Sequence, residues 1–215
     1  NEVYIAGPSA VFGDDDGIDV NDENNFVLNE GLIVGEDDGV DIDYDNNVLV
    51  NEGIISGDDD GVEVNADNVL VVNEGLIVGE DDDGVEIWGE DNTLIHSGTI
   101  IGEDNGIEIV GDGNVVRGEG GFGEDLYGTV TGEDGNGISV EGDHNEVATG
   151  SVLGGEDGLH IAGDHNEFDI KGDVTGEDGD GIDIVGDFND VKVEGDVFGD
   201  PGLIVAGNNN NNAIG

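Results

Sequence analysis

The chain of 215 residues has no cysteine and no methionine, and only three of its residues are lysine or arginine. Without cysteine it can form no disulfide, thiolate metal site, iron–sulfur cluster or cysteine nucleophile. Against the three basic residues stand 55 aspartates and glutamates, so the formal net charge is 3 − 55 = −52. Because a charge of this sign and size repels polyanions, DNA, RNA and anionic membrane surfaces are excluded as partners.

Long apolar segments are missing as well. No run approaches the ~18 apolar residues that a transmembrane helix requires, and no basic-then-apolar signal segment opens the chain. Since the sequence begins at Asn1 and contains no methionine, we expect a processed, exported precursor and an extracellular or cell-surface location. Aromatic residues make up only 5% of the chain, but valine, isoleucine and leucine recur regularly, so we expect an ordered protein.

A turn of glycine, an acidic residue and aspartate recurs at intervals of 21 to 23 residues, with one interval of 30. Each unit holds three short alternating stretches, too short for helices and typical of strands. The first carries pairs such as Val62 and Val64, the second follows an asparagine, as in Asn47-Val48-Leu49-Val50, and the third ends near Ile77. We therefore expect an all-β fold: one single-stranded, right-handed parallel β-solenoid over residues 1–215, with about nine coils of roughly 22 residues and three short strands per coil.

The long interval places about eight extra residues at 117–128. Insertions in a solenoid form surface loops, so we expect a surface insertion there.

The pattern resembles the right-handed parallel β-helix repeats of bacterial surface and secreted proteins, such as autotransporter passenger domains and adhesin stalks. The resemblance covers essentially the whole chain, on units resembling Asn-x-Gly-x-Ile-x-Gly, and implies a structural stalk. The chain is more weakly similar to the calcium-binding nonapeptide repeats of secreted toxins and proteases. Gly176 to Ile184 keeps the glycines at the first and fourth positions of that motif, but has Gly181 in place of its aspartate and occurs once per coil.

Equivalent residues of successive coils lie above one another in a solenoid, so each repeated acid becomes a column. Two unit charges ~4.8 Å apart repel by about 0.9 kcal/mol in water and about 3.5 kcal/mol at an effective dielectric of ~20. Seven such contacts in a column of eight turn aspartates cost ~6 to ~24 kcal/mol, against a typical stability of ~5–15 kcal/mol. The columns therefore predict a neutralising cation.

Oxygen ligands without histidine or cysteine favour a hard cation, Ca²⁺ before Mg²⁺. We accordingly predict several calcium sites between coils. The predicted metal ligands are Asp15, Glu36, Asp37, Asp58, Asp59, Glu80, Asp81, Glu103, Asp104, Glu133, Asp134, Glu156, Asp157, Glu177 and Asp178. The open alternative is an acidic face that is only solvated and screened by salt, or adapted to a hypersaline medium.

Two further columns follow from the repeat. An asparagine column is expected to form a hydrogen-bond ladder at one corner. It comprises Asn25, Asn47, Asn68, Asn92, Asn114, Asn145, Asn166 and Asn189. The outward residues of the first strand are expected to form a second charged face, either solvated or weakly cation-binding. They are Asp19, Asp41, Glu63, Glu86, Glu108, Ser139, His160 and Asp183.

Uniform repetition favours a non-enzymatic extracellular structural protein, because catalysis needs a unique group of residues and this chain repeats the same groups in every coil. Since no capping helix or guarded edge is evident at either end, we expect head-to-tail assembly into a filament, or a segment of a longer stalk. The alternative is a polysaccharide-processing β-helix enzyme, a lyase or epimerase, but the few basic and aromatic residues form no cluster in the sequence.

Overall fold

The structure is a computed structural model that describes residues 1–121 and 124–215, with the side chains of residues 119–126 left out of the description. Within these ranges it contains thirty strands and no helix, and hence no helix able to cross a membrane. Twenty-eight of the strands form three parallel sheets that run the length of the molecule. This confirms the predicted all-β parallel solenoid of about nine turns, with three strands per turn.

Each sheet collects one strand from every coil. Sheet 1 contains β1 (Glu2–Ile5), β4 (Phe26–Asn29), β7 (Val48–Asn51), β10 (Leu70–Asn73), β13 (Thr93–His96), β16 (Val115–Arg117), β21 (Glu146–Thr149), β24 (Glu167–Ile170), β27 (Asp190–Val193) and β30 (Asn211–Ile214). Sheet 2 contains β2 (Ala10–Phe12), β5 (Leu32–Val34), β8 (Ile54–Gly57), β11 (Leu76–Gly79), β14 (Thr99–Gly102), β19 (Thr129–Gly132), β22 (Val152–Gly154), β25 (Val174–Gly176) and β28 (Val197–Phe198). Sheet 3 contains β3 (Ile18–Val20), β6 (Val40–Ile42), β9 (Val62–Val64), β12 (Val85–Trp88), β15 (Ile107–Val110), β20 (Ile138–Glu141), β23 (Leu159–Ala162), β26 (Ile182–Val185) and β29 (Leu203–Ala206).

The core lies between the three sheets and consists of the inward side chains of each strand. Val62 and Val64 of sheet 3, Ile77 of sheet 2 and Leu49 of sheet 1 are all buried, as the alternation predicts. The glycine before each sheet 3 strand allows this close packing: a Cβ at Gly61 would lie 2.5 Å from Cγ2 of Ile77. The Asp-Gly-apolar pattern therefore marks a corner at which the glycine backbone packs directly on the core.

The predicted asparagine ladder is confirmed at one corner, with one correction. Oδ1 of Asn92 accepts a hydrogen bond from the backbone N–H of Val69 at 2.8 Å, and its Nδ2 donates to the carbonyl of Ala66 at 2.8 Å. In the third coil Val69 therefore occupies the ladder position, and the placement of Asn68 in the ladder was wrong. Asn68 lies one residue earlier, in the left-handed conformation with φ of 57°, which asparagine tolerates better than valine.

The predicted insertion contains an antiparallel hairpin of β17 (Glu119–Gly121) and β18 (Glu124–Leu126). Phe122 and Gly123, which belong to the predicted insertion, lie outside the described residues. On either side of the hairpin the sheets continue, because β14 pairs with β19 and β16 pairs with β21.

Candidate metal-binding groove

An inner column of Asp and Asn side chains borders sheet 3. It is formed by the residue directly before the glycine that opens each strand, namely Asp16, Asp38, Asp60, Asp83, Asn105, Asn136, Asp157 and Asp180. Every side chain from Asp16 to Asp157 receives a hydrogen bond from the next coil: the backbone N–H of Asp83 donates to Oδ1 of Asp60 at 2.8 Å. The same contact joins Asn105 N–H to Oδ1 of Asp83 at 2.7 Å. The ladder thus fixes one oxygen of each of these carboxylates and leaves the other available.

The second column is the predicted outward face of sheet 3, and the strand register confirms its stacking: Asp41 pairs with Glu63, and Glu63 with Glu86. We call the two columns together the acidic groove. Within it, carboxylate oxygens of Asp60, Glu63 and Glu86 all lie within 4.8 Å of one another, as do those of Asp83, Glu86 and Glu108. Ligands on opposite sides of one Ca²⁺ ion are about 4.6–5.2 Å apart, so each set can share an ion.

The groove carboxylates of coils 2 to 4 are unusually buried. Asp38, Asp60 and Asp83 are only 8%, 6% and 2% exposed. Burial raises the pKa of Asp60 to about 9 and that of Asp83 to about 8, and neighbouring carboxylates add to both shifts. Burial likewise raises the pKa of Asp38 and of Glu86 to about 7. These are positions at which an ionised carboxylate needs a positive partner.

All three basic residues of the chain lie on another face. Arg117 belongs to β16, Lys192 to β27, and Lys171 directly follows β24, so all three accompany sheet 1. Nζ of Lys171 contacts Asp169 at 2.7 Å and Glu194 at 3.0 Å, and Nζ of Lys192 contacts the same two carboxylates at 3.0 and 2.6 Å. We call these four residues the lysine cluster. Neither lysine nor arginine therefore compensates the acidic groove.

The fifteen residues predicted as metal ligands lie mostly outside the groove. Fourteen of them are exposed on the crest of the turn, whereas Asp157 is half-buried in the inner column. In the first coils they stack as predicted, since the backbone N–H of Asp59 donates to the carbonyl of Asp37 at 3.0 Å. Carboxylate oxygens of Asp15, Asp16 and Asp37 also lie within 4.8 Å of one another. Their role as metal ligands stays a prediction.

The predicted single column of eight turn aspartates is wrong beyond the third coil. The fourth turn carries one extra residue, so that Asp104 N–H donates to the carbonyl of Asp82, and not to that of Asp81, at 3.1 Å. In the seventh turn Gly154, and not Gly155, takes the turn glycine position and pairs with Gly132. This moves Asp157 by one place into the inner column. Turns of unequal length break the register of the crest while the strands keep theirs.

The buried inner column was missed because the prediction followed the Gly-acid-Asp motif and not the residue directly before the next glycine. Strand alternation does not reveal this column, because it is interrupted at the glycine: Gly61 faces the core residue Ile77, and the following Val62 is buried as well. The available signal is the Asp or Asn that precedes the glycine in the first eight coils, as at Asp60 and Asp83.

One part of the groove differs in chemistry. In the outward column of sheet 3, Ser139 pairs with His160 and His160 with Asp183. Nδ1 of His160 lies 3.7 Å from Oδ2 of Asp157 and 3.5 Å from Oδ2 of Asp183. A nitrogen donor thus joins the carboxylates here.

No protein-family model, curated protein or solved structure matches the chain. The functional argument therefore rests on the residues of this chain and their geometry.

Proposed function

We propose that this protein is a non-enzymatic, extracellular structural rod whose acidic groove is stabilised by calcium ions bound between coils. The observation that carries the proposal is the stack of buried carboxylates at Asp38, Asp60 and Asp83, on a face that the lysines and the arginine do not reach. A buried carboxylate must be protonated or paired with a cation, because leaving an ionised one alone costs several kcal/mol.

Calcium fits the groove better than magnesium. The oxygen sets around Glu86 combine aspartate and glutamate side chains of different length, and Ca²⁺ accepts six to eight oxygens in irregular arrangements, whereas Mg²⁺ demands a near-ideal octahedron. The inner ladder holds one oxygen of Asp60 and of Asp83 in place. Sites of modest affinity would be filled at extracellular calcium concentrations.

The regular fold supports a structural role. Short strands of two to four residues repeat along three sheets, and the resemblance to adhesin and passenger stalks agrees with a rod-like spacer. Apolar side chains at inward positions are exposed in the first coil, at Val3, and in the last, at Val205 and Ile214, although the residues they pair with are buried. Stacking on further coils, either of a second copy joined head to tail or of a longer stalk, would cover these side chains and pair the free strand edges.

Thermal unfolding tests the calcium proposal. We expect the metal-free protein to unfold at a clearly lower temperature than the protein in millimolar calcium, since a ligand at a hundredfold excess over its dissociation constant adds ~2.7 kcal/mol per site. A third scan, without divalent cations in molar NaCl, separates ligation from screening. If molar NaCl restores the full stability, the protein is a salt-adapted solenoid without specific calcium sites.

The Asp83→Asn variant tests whether the stabilising calcium binds in the groove. Asp81→Asn, in the same turn, is its matched control. Asparagine occupies the same ladder position at Asn105 and Asn136, where it keeps the hydrogen bond from one coil to the next, so Asp83→Asn should fold. We expect it to lose part of the calcium stabilisation and the exposed Asp81→Asn to keep it. Equal calcium responses of both variants would contradict the placement of calcium in the groove.

A further inference from the structure

The half-buried cluster of Asp157, His160 and Asp183 differs from the rest of the acidic groove in its donor atoms and in its spacing. His160 Nδ1 is 3.5 and 3.7 Å from its two carboxylate neighbours. Both distances exceed a normal hydrogen bond of about 2.7–3.2 Å. Ligands arranged as a tetrahedron at about 2.1 Å from one metal ion lie about 3.4 Å apart, which is close to both values.

We propose that Asp157, His160 and Asp183 form a transition-metal site, and that Zn²⁺ is the divalent ion it suits. One imidazole nitrogen and two carboxylate oxygens are a donor set typical of zinc, whereas Ca²⁺ prefers oxygen alone. A water molecule would complete the tetrahedron. This site goes beyond the proposed function, because it requires no calcium elsewhere in the groove.

The surroundings hold the three donors in place before any ion binds. The backbone N–H of Asp180 donates to Oδ1 of Asp157 at 2.7 Å, so that Oδ2 is the oxygen near His160. Such hydrogen bonds to a ligating carboxylate orient it and support metal affinity. The pairing of β23 with β26 fixes His160 opposite Asp183.

The preceding coil leaves room for access. In the outward column, the neighbour of His160 in the preceding coil is Ser139. The members of the column before Ser139, up to Glu108, all carry longer acidic side chains. The cluster borders a cleft of about 440 Å³ that is also lined by Ser139 and Asn136. An ion can therefore reach the three donors from solvent.

Two other histidines provide a matched control. His144 and His165 lie on an exposed corner, where their rings stack with centroids 5.0 Å apart. Asp143 and Asp164, which precede them, belong to a carboxylate ladder of their own, but among the described residues neither histidine is part of a set of three close donor atoms. Zinc bound there would be independent of His160.

The test is zinc binding to the full chain by isothermal titration, in excess calcium so that oxygen-only sites are already filled. We expect one zinc ion per chain, bound at least about tenfold more weakly by His160→Gln, and unchanged binding by the His144→Gln/His165→Gln double variant. With Cu²⁺ as the probe, electron paramagnetic resonance should detect one imidazole nitrogen in the wild type and none in His160→Gln. Asp183→Asn, which retains His160, should also weaken zinc binding, and it replaces His160→Gln if that variant does not fold.

Equal zinc affinity of His160→Gln and the wild type would overturn the site, as would loss of binding in the double variant alone. Complete displacement of zinc by calcium would also overturn it. Calcium stabilisation of His160→Gln, measured by thermal unfolding, reports separately on the proposed function.

Discussion

The acidic groove of coils 2 to 4 and the lysine cluster near the end of the chain place carboxylates on adjacent coils of one scaffold, yet their acids behave in opposite ways. Burial raises the pKa of Asp60 and Asp83. In the lysine cluster, hydrogen bonds from Lys192 and Lys171 lower the pKa of Glu194, and the same lysines outweigh burial to lower that of Asp169. The solenoid sets the spacing of the charges, and the neighbouring side chains decide whether ionisation is favourable.

The comparison separates two ways of tolerating stacked acids. Each carboxylate of the lysine cluster contacts both ammonium groups at 2.6 to 3.0 Å, so the chain neutralises them itself. The groove carboxylates have no lysine or arginine beside them and depend on protons or on an external cation. Four experiments test this difference, beginning with the largest expected effect.

The metal-free protein should lose stability as the pH rises. Because the folded-state pKa values of Asp60 and Asp83 lie above the value of about 3.9 expected in the unfolded chain, their contribution is fully present below that value. It is lost as the pH rises through about 8 to 9. At about 1.4 kcal/mol per pKa unit, we expect a decrease of several kcal/mol between about pH 5 and pH 9 in urea unfolding.

The Asp60→Asn/Asp83→Asn double variant is the control for this pH dependence. It should be less sensitive to pH over the same range, because asparagine keeps the ladder without a titrating group. A wild-type protein with constant metal-free stability over this range would show that the groove is hydrated well enough to carry its charges.

Glu86→Lys should give the groove the kind of partner that the lysine cluster already has. Glu86 belongs to both oxygen sets of the groove, with Asp60 and Glu63 and with Asp83 and Glu108, so a lysine here can contact several carboxylates. We expect the metal-free variant to be more stable than the wild type by about 1.5–3 kcal/mol, the usual value of a charged hydrogen bond, and to respond less to calcium. Glu103→Lys, on the exposed crest of the next turn, controls for net charge. If both lysines stabilise equally, only the overall charge matters.

Lys192→Met should have a smaller effect. Lys171 still contacts Asp169 and Glu194 in this variant, and exposed ion pairs contribute only about 0–1 kcal/mol. We expect a loss within that range in urea unfolding, larger at low salt and independent of calcium. A loss that calcium fully restores would mean that the lysine cluster and the groove neutralise charge in the same way.

Asp59→Asn should have the smallest effect. Asp59 is exposed on the crest, and surface substitutions usually change stability by no more than ~0.5 kcal/mol. Its neighbour Asp60, buried in the same turn, is the comparison: Asp60→Asn should change both the pH profile and the calcium response. If both variants change the pH profile and the calcium response equally, the exposed crest, and not the groove, is the main cation site.

The sequence was sufficient to predict the solenoid because its strands obey strict alternation: Val62, Val64 and Ile77 are buried as predicted. It was insufficient for the turns. A turn can gain or lose one residue at the surface without disturbing the sheets, so the spacing of Gly-acid-Asp motifs did not reveal that Asp157 belongs to the inner column. The burial of Asp60 and Asp83 depends on how the corner packs, which strand alternation does not indicate because it is interrupted at Gly61 and Gly84.

The hairpin of β17 and β18 shows that chain length and axial length are independent in this molecule. The ladder contact from Asn114 to Asn145 spans 31 residues of sequence and the next one, from Asn145 to Asn166, spans 21, yet both are 2.8 Å hydrogen bonds between adjacent coils. The extra residues of the insertion therefore add chain between two adjacent coils without changing the hydrogen bonds that join them. A longer segment, or a folded module, inserted at this corner would be carried at a fixed height along the rod, with the coils on either side still in register.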